Sequence, residues 1–434
     1  MLADDRPSHS MAVQMRFWFK GIFNQQNFHE ALKRTLARHP IFQMTVRGDA
    51  THRTSRITWN QSHILVLPYI SWATSDTPID HPPDGFRQFI NKDIGLRLWV
   101  RERQDASDSS TMLLVQFHHS VCDGIGMLQF IEELLIHYGQ LRGLETPSLK
   151  ELDHDIFPQR GNFGLTVEEW KARKWRDFKR AWKFFKAIAQ PLALPPNQDK
   201  TMTKVADLFA SERVVLNNSV LDYIRRSAKA AGATVNDMLL KELFATLSQW
   251  NLDHGKRRNK IRIALAISLR SAAEEKLSSV NVVSMVFLDR SHKQIATSRL
   301  LATIVEETED IKNNRMGITL PRVMRRLGRL PYGISLFMGA PVCSATAVLT
   351  NLGPALSQSP LKGPDGKLQI ADIQLESYEL MPPVRPRTRA SFAINYYAGK
   401  LSVTLRYDST ALCESSAREL LARFSKRLIE LQTT

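Results

Sequence analysis

Cysteine is scarce in this 434-residue chain, which has only Cys122, Cys343 and Cys413. Their odd number and scattered spacing predict neither a disulfide framework nor a metal site. Nowhere do about 18 apolar residues follow one another, so we expect no membrane-spanning helix. The first ten residues are polar and acidic, unlike a secretory signal. These absences favour a reducing, cytoplasmic compartment.

Acidic residues are also in deficit, because 59 lysines and arginines oppose 43 aspartates and glutamates for a net charge of +16. The densest basic patch runs from Lys171 to Lys186, with eight basic residues, one acidic residue and an apolar stripe at helical spacing. Such a helix could lie on an anionic membrane surface, or it could connect two lobes and bury its stripe between them. The charge could equally attract coenzyme A phosphates or an acidic acyl-carrier protein. No nucleic-acid-binding module is recognisable, and we predict no such partner.

The most informative segment reads His-His-Ser-Val-Cys-Asp-Gly, from His118 to Gly124. The mostly apolar residues 112–117 predict a buried strand that ends at the two histidines. After Gly124, apolar residues recur about every 3.6 positions, which predicts an amphipathic helix. The segment therefore lies on a strand-to-helix turn. Gly124 and Gly126 would keep this turn tight and let a ligand approach the backbone.

Histidine in such a turn is suited to proton transfer, since its ordinary pKa is about 6.5. A neutral His119 can take a proton from a hydroxyl, amine or thiol and pass it to a leaving thiolate. We therefore predict that His119 is a general base in acyl transfer from a thioester. The adjacent His118 should point the other way and orient the loop. The alternative is a surface loop whose polar residues are merely solvated.

Asp123 follows four residues after His119, and two roles are open to it. It could orient the imidazole, or it could pair with an arginine and hold the turn in shape; we favour the arginine pair. Cys122 raises another alternative, because a cysteine and a histidine can act as nucleophile and base. Residues so close on a tight turn rarely face each other. We therefore interpret Cys122 as a small space-filling residue.

Strand-like and helical patterns alternate through the whole chain. The sequence predicts strands at 11–19, 96–101, 112–117, 261–268, 280–288, 345–349, 391–397 and 401–407. It predicts helices at 28–39, 219–231, 236–250 and 414–431, besides the one that follows Gly124. The alternation favours an α/β protein of two lobes, with residues 1–190 in the first and residues 191–434 in the second.

The histidine motif resembles the signature of the condensation-domain and chloramphenicol-acetyltransferase superfamily, and further blocks in the same order are most similar to bacterial wax ester synthase/diacylglycerol acyltransferases. The blocks LRLW at 96–99, GATVNDML at 232–239, and ISLRS at 267–271 with NVVSMVFL at 281–288 resemble those of the wax ester synthases. ARHPIF at 37–42 resembles a block that follows the first helix in condensation-type proteins, and VLTNLGP at 348–354 resembles a strand near the acceptor end of the channel. Together they span about residues 30–410. The histidine motif and the Asn-Asp block are the specific ones.

This resemblance implies two chloramphenicol-acetyltransferase-like lobes in a V, with His119 midway along a central channel that donor and acceptor enter from opposite mouths. It also implies that Asp123 is mainly structural, and that Asn236 and Asp237 help set the second lobe against the site. We predict substrate contacts for Gly124, Asn236, Asp237, Arg270 and Asn351. The alternatives are a helix cap for the Asn-Asp pair, a surface charge for Arg270 and a turn for Asn351.

Two positions depart from the family pattern. Gln43 stands where condensation domains often have an arginine, which leaves Arg38, Arg47 or Arg16 as the partner of Asp123. Val280 replaces the glycine expected before Asn281, so the backbone geometry there is in question.

The sequence thus predicts an acyltransferase that moves an acyl group from acyl-coenzyme A to an alcohol, with no bound cofactor. Amide formation of the condensation type, from a carrier-protein donor to an amine, is the alternative reaction. A catalytically silent protein that binds a carrier protein or a membrane is the alternative class. The intact His119 argues against a catalytically silent protein, because a pure binding module has no need of this histidine.

Overall fold

The computed structural model describes residues 1–48, 57–62, 64–105, 109–153, 161, 163, 166, 168, 189–196, 204–257, 260–270, 276–340 and 342–433. Its helices are α1 (Gln25–Arg38), α2 (Gly124–Leu141), α3 (Asn218–Ala230), α4 (Val235–Asp253), α5 (His292–Ile295), α6 (Leu300–Asn313), α7 (Thr319–Leu327), α8 (Gly333–Gly339) and α9 (Glu414–Glu430). Short 3-10 helices cover Leu2–Asp4, Pro40–Gln43, Met316–Ile318 and Leu431–Thr433. The predicted basic helix Lys171–Lys186 lies outside the described residues.

The strands are β1 (Ala12–Lys20), β2 (Met44–Arg47), β3 (Thr58–Gln61), β4 (Tyr69–Thr74), β5 (Leu96–Arg103), β6 (Ser110–His118), β7 (Ser211–Leu216), β8 (Lys260–Ser268), β9 (Val283–Ser291), β10 (Ala347–Asn351), β11 (Gln369–Ile370), β12 (Ile373–Met381), β13 (Ala390–Tyr397) and β14 (Lys400–Tyr407). They form two six-stranded sheets and the small β2–β3 pair.

The first sheet has the order β11-β12-β1-β6-β5-β4. Its pairs are antiparallel except β4 with β5. The helices α1 and α2 contact each other, and their apolar side chains share one core with the sheet. In α1 the buried residues Phe28, Ala31, Leu32 and Leu36 recur at helical spacing. Asn24 caps this helix by accepting a hydrogen bond from the Asn27 amide.

The second sheet has the order β7-β14-β13-β10-β8-β9, with parallel pairing of β10 to both neighbours. Its core includes side chains from α3, α4, α6 and α9. The strand β9 alternates buried and half-buried residues along its length, as expected when the two faces of a sheet have different surroundings. The helix α7 contacts β9.

The two lobes exchange one part of the chain. Strands β11 and β12 come from the second half of the sequence, yet β12 pairs with β1 in the first sheet. A division of the chain at residue 190 therefore leaves out one segment of the first lobe, because residues 369–381 complete its sheet. This strand exchange joins the lobes through backbone hydrogen bonds, which stabilises their relative position around the site.

Candidate active site

The histidine motif occupies the predicted strand-to-helix turn. The strand β6 ends at His118, and α2 begins at Gly124. The His118 amide donates to the Gly95 carbonyl and the His119 amide to the Met11 carbonyl, which fixes the start of the turn against neighbouring chain segments. Asp123 is the N-cap of α2, with its side chain accepting from the Gly126 amide at 2.9 Å. Both ends of the turn are thus held by hydrogen bonds.

His119 is half-buried and lines a cavity of about 320 Å³ between the two lobes. Its Nδ1 lies 3.2 Å from the Cys122 carbonyl oxygen. Asn281 Nδ2 lies equally far from Nδ1, at 3.2 Å, but donates to the His119 carbonyl. The Cys122 carbonyl can only accept, so it favours the proton on Nδ1 and leaves Nε2 as the basic atom. Burial lowers the pKa of His119 below its ordinary value, so the ring is neutral at pH 7. The residue is therefore in the state that a general base requires.

His118 is completely buried, and it is not among the described residues that line this cavity. Its Nδ1 lies 2.7 Å from the Ser120 hydroxyl, within the turn itself. Burial lowers the pKa of His118 to about 4. These contacts fit the predicted role of orienting the loop.

Asp123 forms the predicted ion pair with an arginine, but the partner is Arg270. Its carboxylate accepts from Arg270 Nη1 and from the Val282 amide, both at 2.8 Å. The other nitrogen Nη2 of Arg270 donates to the Val280 carbonyl at 2.8 Å. One carboxylate thus joins the turn, the start of α2 and the second lobe. This arrangement favours a positioning role for Asp123.

The three arginines named as candidates from the sequence lie elsewhere, so that prediction was wrong. Arg38 pairs with Glu133 at 2.7 Å, and Arg16 pairs with Glu379 at 3.1 Å. Arg47 is exposed at the end of β2. Arg16 and Arg38 pair with carboxylates of the first lobe, whereas Asp123 faces the second lobe and takes its partner from there. Arg270 does line the cavity, although its guanidinium already binds Asp123.

Asn281 is a site residue that the sequence did not single out. Its side-chain amide donates to the His119 carbonyl, and its own backbone amide donates to the Val121 carbonyl at 3.2 Å. The neighbouring Val280 supplies the carbonyl that accepts from Arg270. The valine in place of the expected glycine is therefore compatible with a close fit of this segment against the turn.

The two glycines of the turn are required by close packing. A Cβ on Gly124 would lie 2.8 Å from a methyl carbon of Leu352. A Cβ on Gly126 would lie 2.8 Å from the Cys122 sulfur and 3.0 Å from the Val280 carbonyl oxygen. Gly124 also lines the cavity. The close contacts at these glycines are made by the protein itself, and the approach of a ligand to this backbone stays a prediction.

The thiol of Cys122 is completely buried. Burial raises its pKa well above the ordinary value. The sulfur lies 3.2 Å from the Asp123 carbonyl oxygen, and the thiol donates to that oxygen. A protonated thiol in these contacts agrees with a space-filling residue.

The remaining predicted substrate contacts divide into two groups. Asn351 lines the cavity, and its side chain also accepts from the Gly353 amide at 2.8 Å, as in a turn. Asp237 forms a capping box with Thr234 at the start of α4 and accepts from the Thr308 hydroxyl at 2.7 Å. Neither Asn236 nor Asp237 is among the described residues that line the cavity. Asp237 therefore caps the helix, and substrate contact by Asn236 and Asp237 stays a prediction.

The cavity wall beyond the motif is mostly apolar and belongs largely to the second lobe. Its apolar side chains include Met1, Met11, Met285, Phe287, Leu320, Met324, Phe337, Met338, Val348 and Leu380. Such a lining suits an acyl chain or another apolar group. Within the described residues, no cluster of histidine, cysteine, aspartate or glutamate could hold a metal ion. The described helices include none long and apolar enough to cross a membrane.

The comparisons with known proteins agree with this geometry. The family model of the condensation domain matches residues 3–317, so the chain belongs to the condensation-domain family. Condensation domains catalyse acyl transfer that forms amides or esters, and their fold has two chloramphenicol-acetyltransferase-like lobes. The predicted α/β fold class is confirmed. No curated protein matches the chain in sequence.

Solved structures of similar fold cover nearly the whole chain. SgcC5 from Streptomyces globisporus is 14% identical, with a TM-score of 0.65 over 99% of this chain and 94% of that one. The first condensation domain of the calcium-dependent antibiotic synthetase, in complex with a substrate analogue, is 14% identical, with a TM-score of 0.67 over 98% and 92%. The starter condensation domain of rhizomide synthetase, in complex with C8-CoA, is 12% identical, with a TM-score of 0.67 over 99% and 91%. At these identities the likeness concerns the fold.

Proposed function

We propose that this protein transfers an acyl group from acyl-coenzyme A to an alcohol, with His119 as the general base. The observation that carries the proposal is the neutral His119 at the wall of an apolar cavity, with its Nδ1 hydrogen-bonded to the Cys122 carbonyl. This hydrogen bond leaves Nε2 as the proton acceptor. Asp123 is occupied by Arg270 and two backbone amides, which makes the carbonyl the orienting group for the imidazole.

The proposed reaction proceeds through a tetrahedral intermediate. His119 Nε2 takes the hydroxyl proton as the alcohol oxygen forms a bond to the thioester carbonyl carbon. The carbon–sulfur bond then breaks, and the imidazolium returns the proton to the coenzyme A thiolate. The products are an ester and free thiol, so atoms and charge balance without another reactant.

Coenzyme A as donor is supported by two observations. The net charge of +16 attracts its phosphates over a distance. The starter condensation domain of similar fold was solved with C8-CoA.

The sequence blocks similar to wax ester synthases favour an alcohol as the acceptor. A cytoplasmic location and membrane contact through Lys171–Lys186 are further parts of the proposal, whereas an acyl-carrier protein is the donor in its alternative.

Amide formation is the second candidate, because another structure of the starter condensation domain was solved with both C8-CoA and Leu-SNAC. The same base would then accept a proton from an amine. A silent binding protein is the third candidate, and it has no need of a neutral, oriented His119.

The test is a product screen with mixed acyl-coenzyme A donors and with alcohols or amines as acceptors, read by mass spectrometry. We expect esters and free thiol, at a rate that falls as salt rises. Amide products, or thiol release only from carrier-bound donors, would replace the proposal by the condensation-type reaction. No thiol release from either donor would favour the silent protein.

A further inference from the structure

The helices α7 and α8 with their connecting loop form a covering segment, residues 319–340, over the second-lobe side of the cavity. The side chains of Met324, Phe337 and Met338 line the same cavity as His119. In α7 the apolar and most of the basic residues lie on different sides of the helix, and Leu320 also lines the cavity; Arg322 is the buried residue of this helix. The inner face of the covering segment therefore belongs to the site already described.

The outer face of the covering segment is unusually apolar. Leu330, Tyr332 and Leu336 have exposed fractions of 57%, 52% and 72%, and the nearby Val342 has 65%. Single exposed apolar residues are common on protein surfaces and need no explanation. Four large ones within thirteen residues form a concentration typical of an interaction surface.

The sequence of the same segment has several arginines and no acidic residue. The sequence has no aspartate or glutamate between Asp310 and Asp365. Arg325, Arg326 and Arg329 are exposed beside the apolar residues. Arg325 also donates a hydrogen bond to the Gly161 carbonyl at 3.2 Å. The outer face thus combines exposed apolar side chains with exposed arginines such as Arg326 and Arg329.

We propose that the outer face of the covering segment docks on an anionic lipid surface. Helices that lie at a membrane interface combine these two features, since apolar side chains enter the acyl boundary while arginines bind the headgroups. An acidic protein partner would complement the charge of the arginines. It would not explain as directly why the side chains of Leu330 and Leu336 are more than half exposed. Docking would leave only the covering segment between the lipid and the His119 cavity.

The proposal is independent of the acyl-transfer reaction, because it concerns binding alone. It also differs from membrane contact through Lys171–Lys186, since it rests on another part of the chain. The structure offers a matched control in Ile64 and Leu67, which have exposed fractions of 79% and 44% outside the covering segment. Lys293 and Lys426 are exposed charges on α5 and α9 and provide the electrostatic control.

The experiment is co-sedimentation of the full chain with vesicles of phosphatidylcholine alone and of phosphatidylcholine mixed with phosphatidylserine. We expect binding to the mixed vesicles only, with release as salt rises. The double variants Leu330→Ser/Leu336→Ser and Arg326→Gln/Arg329→Gln should each lower the partition coefficient about tenfold or more. The controls Ile64→Ser/Leu67→Ser and Lys293→Gln/Lys426→Gln should remain within about twofold of the unaltered protein. Unchanged thermal unfolding midpoints would show that the variants are folded.

The proposal is overturned if the protein sediments with neither vesicle, or equally with both. It is also overturned if the control variants lose as much binding as the covering-segment variants. Loss of binding only when the charges of Lys171–Lys186 are neutralised, with the covering-segment variants unaffected, would place the membrane contact there instead.

Discussion

The ion pair between Asp123 and Arg270 should stabilise the site through the contact of the two lobes, and a double-mutant cycle measures this contribution. Asp123 is 4% exposed and accepts from three donors, namely Arg270 and the backbone amides of Gly126 and Val282. In Asp123→Asn the neutral amide can no longer compensate the arginine and presents its own NH₂ to these donors. Breaking such a buried pair costs about 3–5 kcal/mol.

The second single variant removes the same ion pair from the other side. In Arg270→Met the carboxylate keeps both backbone donors and loses one charge-assisted hydrogen bond, worth about 1.5–3 kcal/mol, while the hydrogen bond of Arg270 to the Val280 carbonyl is lost as well. The double variant should then lose less free energy of unfolding than the two single variants lose together. The difference, which is the coupling energy, should be about 1.5–3 kcal/mol. The assay is urea unfolding followed by tryptophan fluorescence, with both lobes' transitions fitted separately.

Arg38→Met is the matched control, because Arg38 pairs with Glu133 and not with Asp123. Its combination with Asp123→Asn should be additive within about 0.5 kcal/mol. Additivity in the cycle of Asp123 with Arg270, or equal coupling of Asp123 to Arg38, would refute the assignment of the ion pair.

Three further predictions follow from the geometry of the turn. Gly126→Ala should destabilise the protein by about 1–3 kcal/mol, because the new Cβ would press against the backbone of the second lobe. The control Gly339→Ala places its Cβ where no atom lies within 4 Å and should cost far less. Equal shifts of the thermal unfolding midpoint in the two variants would contradict the packing argument. In the pH profile of kcat/KM, the midpoint of the loss on the acid side should lie below pH 6.5. Burial lowers the pKa of His119, and activity is lost only when its imidazole becomes protonated in the folded protein. A midpoint at or above pH 6.5 would contradict this. A thiol-alkylating reagent should label Cys413 and leave Cys122 unmodified in the folded protein. Burial raises the pKa of Cys122, while nearby serine hydroxyls help lower the pKa of Cys413. Peptide mass spectrometry identifies the labelled residue, and labelling of Cys122 before Cys413 would contradict the prediction.

The strongly periodic parts of the fold were predictable from the sequence. The expected helix at 28–39 is α1 (Gln25–Arg38), and the expected strand at 112–117 is β6 (Ser110–His118). The strand expected at 280–288 begins later, because Val280 and Asn281 leave the sheet to contact the histidine turn. Local pattern thus predicted the elements, and the tertiary contact moved a boundary.

The long-range features were not predictable from local pattern. Nothing in residues 369–381 indicates that they pair with β1, because strand pairing across the sequence depends on the whole topology. The arginine partner of Asp123 was missed for the same reason. The three candidate arginines belong to the first lobe, while Arg270 approaches from the second.

Some contributors to the cavity wall carried only a weak signal. The short helix α7, with arginines on one side and apolar residues on the other, has a detectable amphipathic pattern. That pattern predicts a surface helix but does not tell which cavity it covers. Met324 and Phe337 could therefore be assigned to the site only from the structure.

Thiol release in His119→Gln and His118→Gln variants tests the central claim most directly. The measurement is the rate of free coenzyme A formation from an acyl-coenzyme A with an alcohol acceptor, together with the unfolding midpoint of each variant. We predict that His119→Gln loses about 10²-fold or more in rate while remaining folded, because only the base is removed. His118→Gln should act mainly through stability and keep a larger share of the rate. A folded His119→Gln variant that releases thiol at nearly the unaltered rate would contradict His119 as the base.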